Sequence, residues 1–341
     1  MKITLKDISE DTGLSISTVS RALARKGKIS SKNEKKVFES AHRLNYPLNN
    51  ITTPVSLREN IFVALVTRIH PGEFFAAFYE GFDLASKGTN FNFGLFNVTN
   101  KEKSDIDFIA SLHQNHFDAA VIFLPTFTEK DYRKLINNIG DEFPMISAAP
   151  LPTAVMDTVA FDNYRGGHLV AKHFHEQGYK KIGIIQGPIT KIEAQLRRNG
   201  LTDYCETNGL EVVWDYGTIY DLQEGQAAYQ HYKHSSEKPE AIFTSNDALA
   251  VGFMQQAILD GLKIPDDVAI ASYDDLPICN YHNPTITSVH TDYETLAKNI
   301  LEMLAERLQN ENGTPHTGYT KLVPVSLKVR ESSTELNKKS R

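Results

Sequence analysis

The chain is 341 residues long, more than one hydrophobic core usually serves, so two or three domains with ample buried volume are expected. A composition of 41% hydrophobic and 23% charged residues, with 20 Gly and 14 Pro, excludes a disordered, collagenous or low-complexity chain. The net charge of −6 conceals a division: residues 1–60 hold 11 Lys and Arg against 6 Asp and Glu, and the rest of the chain holds 25 against 36. A basic head on an acidic body points to one small module that meets a polyanion. On charge alone, a solvated basic face without a partner stays equally open. No apolar run approaches the roughly 18 to 20 residues of a membrane helix, so no membrane partner is expected. The charged start, Met1 to Asp7, lacks the apolar run of a secretory signal, and Cys205 and Cys279 fit neither a disulfide framework nor a zinc site. The expectation is a cytoplasmic location with two buried thiols.

In chain order, Thr4 and Asp7 have capping-box spacing, and Leu5 and Ile8 begin an apolar stripe that ends near Gly13. Ser15 then suits the N-cap of a second short helix over 16–23. Ser30 or Ser31 caps a third, with Val37, Ala41 and Leu44 on one face. Two short helices around a glycine turn, packed with a third, predict a helix-turn-helix module. In that geometry the second helix presents Ile16, Ser17 and Arg21 to base edges in the major groove, with Arg21 as the guanine reader. The hydroxyls of Thr4, Ser15, Thr18 and Ser30, with Lys6, Lys32 and Lys35, are the candidate phosphate contacts. Spacing alone leaves open a small helical bundle that binds protein.

The runs Thr4-Leu5-Lys6-Asp7-Ile8, Gly13-Leu14-Ser15 and Ser17-Thr18-Val19-Ser20-Arg21-Ala22-Leu23, with Leu44-Asn45-Tyr46, resemble the N-terminal signature of the LacI/GalR family of bacterial transcriptional regulators. The resemblance implies a headpiece over 1–45 that binds a pseudo-palindromic double-stranded operator as a homodimer, and a hinge over 46–60. There the chain departs from the family pattern, with Asn49, β-branched residues and Pro54 where a hinge helix is usual. Proline is tolerated only in a first helical turn, so a hinge helix is short, late or absent, and a plain linker is the alternative. Val55 or Leu57 is the candidate minor-groove wedge.

From residue 61 short apolar runs (61–66, 91–98, 119–124, 144–148, 181–186, 241–244 and 268–273) alternate with helical stretches near 76–87, 104–115, 129–139, 163–177, 192–208, 223–234 and 247–261. Such alternation predicts parallel sheets covered on both faces, and this much of it is enough for two. Ligands of open α/β sheets sit beyond the carboxyl ends of strands, where Gln186-Gly187-Pro188, Asn246-Asp247 and Asp274-Asp275 gather. Helix capping is the competing reading, above all for Asp247.

Asp162 to Gly167, Gly178 to Ile182, Arg197 to Gly200, Ser245 to Gly252, Tyr273 to Asp275 and Pro284 to Val289 resemble the effector domain of the same family. The resemblance implies a periplasmic-binding-protein-like body over 61–332, with an N-subdomain of about 61–160 plus 292–320, a C-subdomain of about 161–291 plus 321–332, and a polar tail at 333–341. The fold class expected is therefore an all-α helix-turn-helix headpiece joined to an α/β body of two parallel-sheet subdomains. Position by position, Arg197, Asn246 and Asp274 fall where family members bond effector hydroxyls, Phe161 and Tyr220 where apolar or aromatic walls stand, and Phe74 and Phe75 at the pair after the first strand. Some sugar-binding relatives have an Asp where this chain has Ala149, which cannot accept a hydrogen bond, so that half of the pocket reads hydroxyls differently or holds a less polar ligand.

His168, His173 and His175 share a predicted helix but face different ways, and His113 and His116 lack a partner set, so no metal is expected. No nucleophile elbow, His-Glu-x-x-His or phosphate-cradling glycine loop occurs, so neither enzyme chemistry nor a cofactor is expected. The reading is a repressor-type regulator controlled by a small-molecule effector, a sugar or sugar derivative. The rivals are a carbohydrate-binding protein without DNA function and a sugar-modifying enzyme.

Overall fold

In the computed structural model, residues 3–23, 29–44, 46, 60–69, 72–98, 102–140, 143–309 and 318–334 are described. Asn49, Pro54, Val55 and Leu57, and with them the expected hinge, lie outside the described residues, as does the tail from 335.

The head is three helices, α1 (Leu5–Thr12), α2 (Ile16–Leu23) and α3 (Ser31–Arg43). Both the backbone N–H and the hydroxyl of Thr4 donate to the Asp7 carboxylate at 2.7 Å, which closes the first turn of α1. Gly13 ends α1 at φ 67°, a left-handed conformation in which a side chain would be strained. Ile8, Val19, Ala22, Leu23, Val37, Phe38 and Ala41 form the small core. Asp11 accepts from both Ser40 and Arg43 and so ties α1 to α3.

The body has two six-stranded sheets. The first runs β11 (Thr320–Val323), β5 (Thr158–Phe161), β4 (Met145–Ser147), β3 (Ala119–Phe123), β1 (Ile61–Thr67), β2 (Phe91–Asn97), all parallel. Strand alternation sends Val63 and Leu65 to a core shared with α4 (Glu73–Ser86) and α12 (Tyr293–Gln309). Ala64 and Val66 go to the opposite core, beneath α5 (Glu102–Gln114) and α6 (Glu129–Ile139).

The second sheet runs β12 (Ser326–Lys328), β10 (Thr287–His290), β9 (Ala269–Asp274), β8 (Ala241–Thr244), β6 (Lys181–Gln186), β7 (Glu211–Gly217). It is parallel except that β12 pairs antiparallel with β10. Helices α7 (Asn163–Glu176) and α8 (Ile192–Asn208) cover one face, α9 (Leu222–His234) and α10 (Asp247–Leu259) the other.

The chain passes between the sheets after β5, after β10 and after β11. The last passage falls at 324–325 and not at 320–321, because β11 pairs with β5 in the first sheet. Five strands (β5, β7, β10, β11 and β12) and the helices α11 (Ile278–Tyr281) and α12 go beyond the elements expected from periodicity, and α12 brings Tyr293 against Phe74, Phe78 and Phe161. Trp214 is buried in the core under α9 and α10 and donates to His231 at 3.1 Å.

Candidate functional site

The carboxyl ends of β6, β8 and β9 bring Arg197, Ser245 and Asp274 together. Arg197, on the second turn of α8, is buried; its Nε donates to Asn163 Oδ1 at 2.8 Å and its Nη1 to the Ser245 carbonyl at 2.6 Å. Its third nitrogen stands 3.4 Å from the Asp274 carboxylate, and the guanidinium lies 3.6 Å from the centre of the Tyr273 ring. Burial pushes the Asp274 carboxyl up to about 7, while Arg197 draws it back toward ionisation. Buried ion pairs add little net stability, but removing one partner strands the other, at about 3–5 kcal/mol. Arg197 is therefore part of the structure as well as of the cleft.

Tyr220 stacks on the Gly187 backbone, where a Cβ would stand 2.2 Å from its ring. Its hydroxyl is buried without a hydrogen-bond partner among the described residues, as are the Ser245 hydroxyl and one oxygen of Glu193. Burial raises the Tyr220 hydroxyl well above its ordinary value, so it is neutral and available as a donor. The Lys191 ammonium lies over the Tyr220 ring, 4.8 Å from its centre. The N-subdomain side is aromatic. Tyr293 meets Phe161 edge-on at 5.4 Å and Phe74 at 5.8 Å, and Phe75 packs edge-on against Phe74 at 5.1 Å.

Two polar residues that follow β8 hold structure. Asn246 caps α10, its side-chain oxygen accepting from Leu249 N at 3.0 Å. Asp247 is buried and accepts from Leu276 N at 2.8 Å and from Ser288 at 2.7 Å, so it braces the β9 turn. Ser147 donates to the Ala149 carbonyl at 2.7 Å, leaving that strand end with no acidic acceptor. Of the histidines, His173 is buried against Ser333 at 2.7 Å and His175 bonds Tyr204 at 3.2 Å.

On the head, α2 presents an exposed face of Ile16, Ser17 and Arg21. Ser15 caps it, accepting from Thr18 N at 3.2 Å, and its hydroxyl also meets those of Ser17 at 3.0 Å and Thr18 at 2.8 Å. Arg21 folds back along α2, its Nε donating to the Ser17 carbonyl at 3.2 Å. Ser30 caps α3 through Asn33 N at 3.4 Å, and Lys6, Lys32 and Lys35 are exposed.

Residues 4–49 match the model of bacterial regulatory proteins of the lacI family, and residues 171–333 match that of the periplasmic binding protein-like domain. The chain belongs to the LacI family. It is 24% identical over 311 residues to the HTH-type transcriptional repressor PurR of Haemophilus influenzae strain PittEE, covering 91% of this chain and 92% of that protein. It is 25% identical over 316 residues to the ribose operon repressor of Escherichia coli K12, covering 89% and 93%. In fold it is similar to the Lac repressor dimer bound to operator and the anti-inducer ONPF, with a TM-score of 0.72, 19% identity and coverage of 98% and 100%. The transcriptional regulator CelR-cellobiose complex is similar at a TM-score of 0.68, 21% identity and coverage of 97% and 100%.

As a LacI-family protein the chain is a DNA-binding regulator with an effector domain, and not an enzyme. Reading by motif missed Asn163, Lys191, Glu193, Tyr273 and Tyr293 in this cleft. For Lys191 and Glu193 a signal existed, since both flank the start of a helix that follows the Gly187-Pro188 loop. For Tyr293 one existed too, since Asp292 caps α12 ahead of an apolar stripe of Leu296, Ile300, Met303 and Leu304.

Proposed function

We propose that the protein is a cytoplasmic, homodimeric repressor that binds a double-stranded operator through α2 and is controlled by a sugar or sugar derivative held between the two body subdomains. Residues 1–45 are the headpiece, 46–60 the hinge, and 61–332 the effector and dimerisation domain. Thr4, Ser15, Ile16, Ser17, Thr18, Arg21, Ser30, Asn49, Val55 and Leu57 are assigned to DNA, and Phe74, Phe75, Phe161, Arg197, Tyr220, Asn246 and Asp274 to the effector. The observation that carries the effector assignment is the buried Arg197 and Asp274 pair beside the Tyr220 and Ser245 hydroxyls, which lack partners among the described residues. Buried polar groups without partners cost about 1–3 kcal/mol each, and a polyhydroxylated ligand supplies the missing bonds. Aromatic rings suit the apolar face of a sugar ring. Names among the relatives include both a ribose operon repressor and purine repressors, so the chemistry of the cleft and not the names supports the sugar.

Effector binding stabilises one relative orientation of the subdomains, and that orientation sets headpiece spacing. Isothermal titration of a sugar panel, with and without an operator fragment, tests the proposal. One sugar is expected to bind and to change operator affinity. Binding of free nucleobases with no response to any sugar would contradict it.

A further inference from the structure

The loop from β9 to α11 belongs to the C-subdomain but is seated partly in the other one. It starts at Asp274, at φ 108°, and Asp275, at φ 57°, a backbone that residues other than glycine keep only where their surroundings hold them. Leu276 is buried in the core that β1 shares with α4 and α12. Ile278 packs on that core and on the core under α9 and α10. The backbone N–H of Ile278 donates to the Glu73 carboxylate at 3.0 Å, a hydrogen bond between the two subdomains. Glu73 is the first residue of α4 and stands directly before Phe74 and Phe75. On the C-subdomain side, the Leu276 N–H donates to Asp247 at 2.8 Å and the Asp275 N–H to Ser288 at 3.0 Å. Residues 275–278 are thus a short strap with an anchor in each subdomain, and Asp274 is its root.

We propose that Glu73 is a positioning residue for effector recognition: by holding the strap from the opposite subdomain, it ties the placement of the Asp274 carboxylate to the orientation of the subdomains. The proposal rests on the cleft being the effector site, and not on the effector being a sugar. Glu73 touches no ligand. It acts through Ile278, Leu276 and the two residues of positive φ. An effector that needs Asp274 in this geometry and a bond that exists in this orientation favour the same state, so each strengthens the other. Loss of the bond lowers the population of that state and raises the apparent Kd of the effector in proportion. It also moves effector-free operator affinity in the direction opposite to the effector's own effect. That sign holds for an inducer and for a corepressor alike.

The test compares Glu73→Ala with Glu73→Gln in the full-length chain. Glu73 is exposed, so neither variant opens a hole in the core, and glutamine keeps a carbonyl that can accept from Ile278. Hydrogen exchange of the effector-free proteins is read first. Glu73→Ala is expected to speed exchange at Ile278 by about three- to tenfold, and with it exchange at Asp275 and Leu276, whose own partners lie within the C-subdomain. Glu73→Gln is expected to stay near the wild type. Calorimetry with a panel of neutral hexoses and pentoses, and with the operator fragment, follows. Glu73→Ala is expected to weaken the sugar that binds by about the same factor and to shift sugar-free operator affinity against the sugar's own effect, with Glu73→Gln restoring both. Faster exchange confined to Ile278, a glutamine variant that behaves as the alanine one, or unchanged sugar affinity in Glu73→Ala overturns the proposal. A panel in which no sugar binds counts against the sugar reading instead, and exchange at Asp275 and Leu276 then decides the strap.

Discussion

Asp274 stands at φ 108°, a conformation that costs a residue other than glycine about 1–3 kcal/mol. Its neighbours hold it there. Thr291 donates to its carbonyl at 2.8 Å, and the next residue, Asp275, is tied to Arg330 at 2.7 Å and to His290 at 2.9 Å. The carboxyl that results is buried and pushed up to about 7 from an ordinary 3.8. Since the folded value lies above the unfolded one, the stability contribution of this group is complete below the unfolded value and is lost as pH rises through about 7. Ligand binding has the opposite slope if hydroxyls need the ionised form. Effector affinity is expected to rise between about pH 6 and pH 8, and Asp274→Asn to abolish the rise. Calorimetry in that window checks this, and an unchanged slope in the variant would assign the proton elsewhere. On α2, Arg21 is exposed and spends only one donor on Ser17, so its guanidinium can turn outward at little cost. Arg21→Ala is expected to relax preference at one base pair by about 1–3 kcal/mol. Competition binding with single-base operator variants measures this, and uniform weakening would make it a phosphate contact.

At the scale of elements, α7 and α8 approach so closely that a Cβ on Gly167 would stand 1.9 Å from the Arg197 carbonyl, and one on Gly200 1.9 Å from that of Tyr164. Gly225 and Gly252 do the same for α9 and α10, with 2.3 Å to the Leu249 carbonyl and 2.0 Å to that of Leu222. The first crossing sets Arg197 against Asn163. Gly167→Ala must push backbone from backbone, since no flexible side chain can yield, so a loss of about 1–3 kcal/mol or more is expected together with weaker effector binding. Urea denaturation and ligand titration of the variant check both. Glycines of this kind were visible in the Gly166-Gly167 and Asn199-Gly200 motifs, and the strands with continuous apolar runs, such as Lys181–Gln186, were legible for the same reason that they are buried on both faces. Of the edge strands only β2 was. β7, β11 and β12 expose one side or are short, so their patterns carry little signal, whereas α12, with Asp292 capping an apolar stripe, carried a local signal that went unread. In the cleft, motif matching reached Arg197, Tyr220 and Asp274; Lys191, Glu193 and Tyr293 stand at helix starts that could be read locally, but their meeting in one cleft is set by tertiary packing, which no local pattern records.

For the whole molecule, the division of charge and the division of labour coincide. The basic head carries the exposed face of α2, the acidic body carries the cleft, and the proposed function has the two act on each other. If the lysines of the head meet phosphates, the logarithm of operator affinity should fall by about one unit per contact for each decade of salt, whereas a flat response would place affinity elsewhere. The central claim is that the cleft controls the head. It is tested most directly by titrating operator DNA into the wild-type chain and into Asp274→Asn, each with and without the sugar that most raises the wild-type melting temperature. The account predicts that the sugar changes operator affinity in the wild type, in either direction, and that Asp274→Asn keeps operator binding and loses the response. A variant that still responds to the sugar as the wild type does would contradict it, because the control site would then lie outside this cleft.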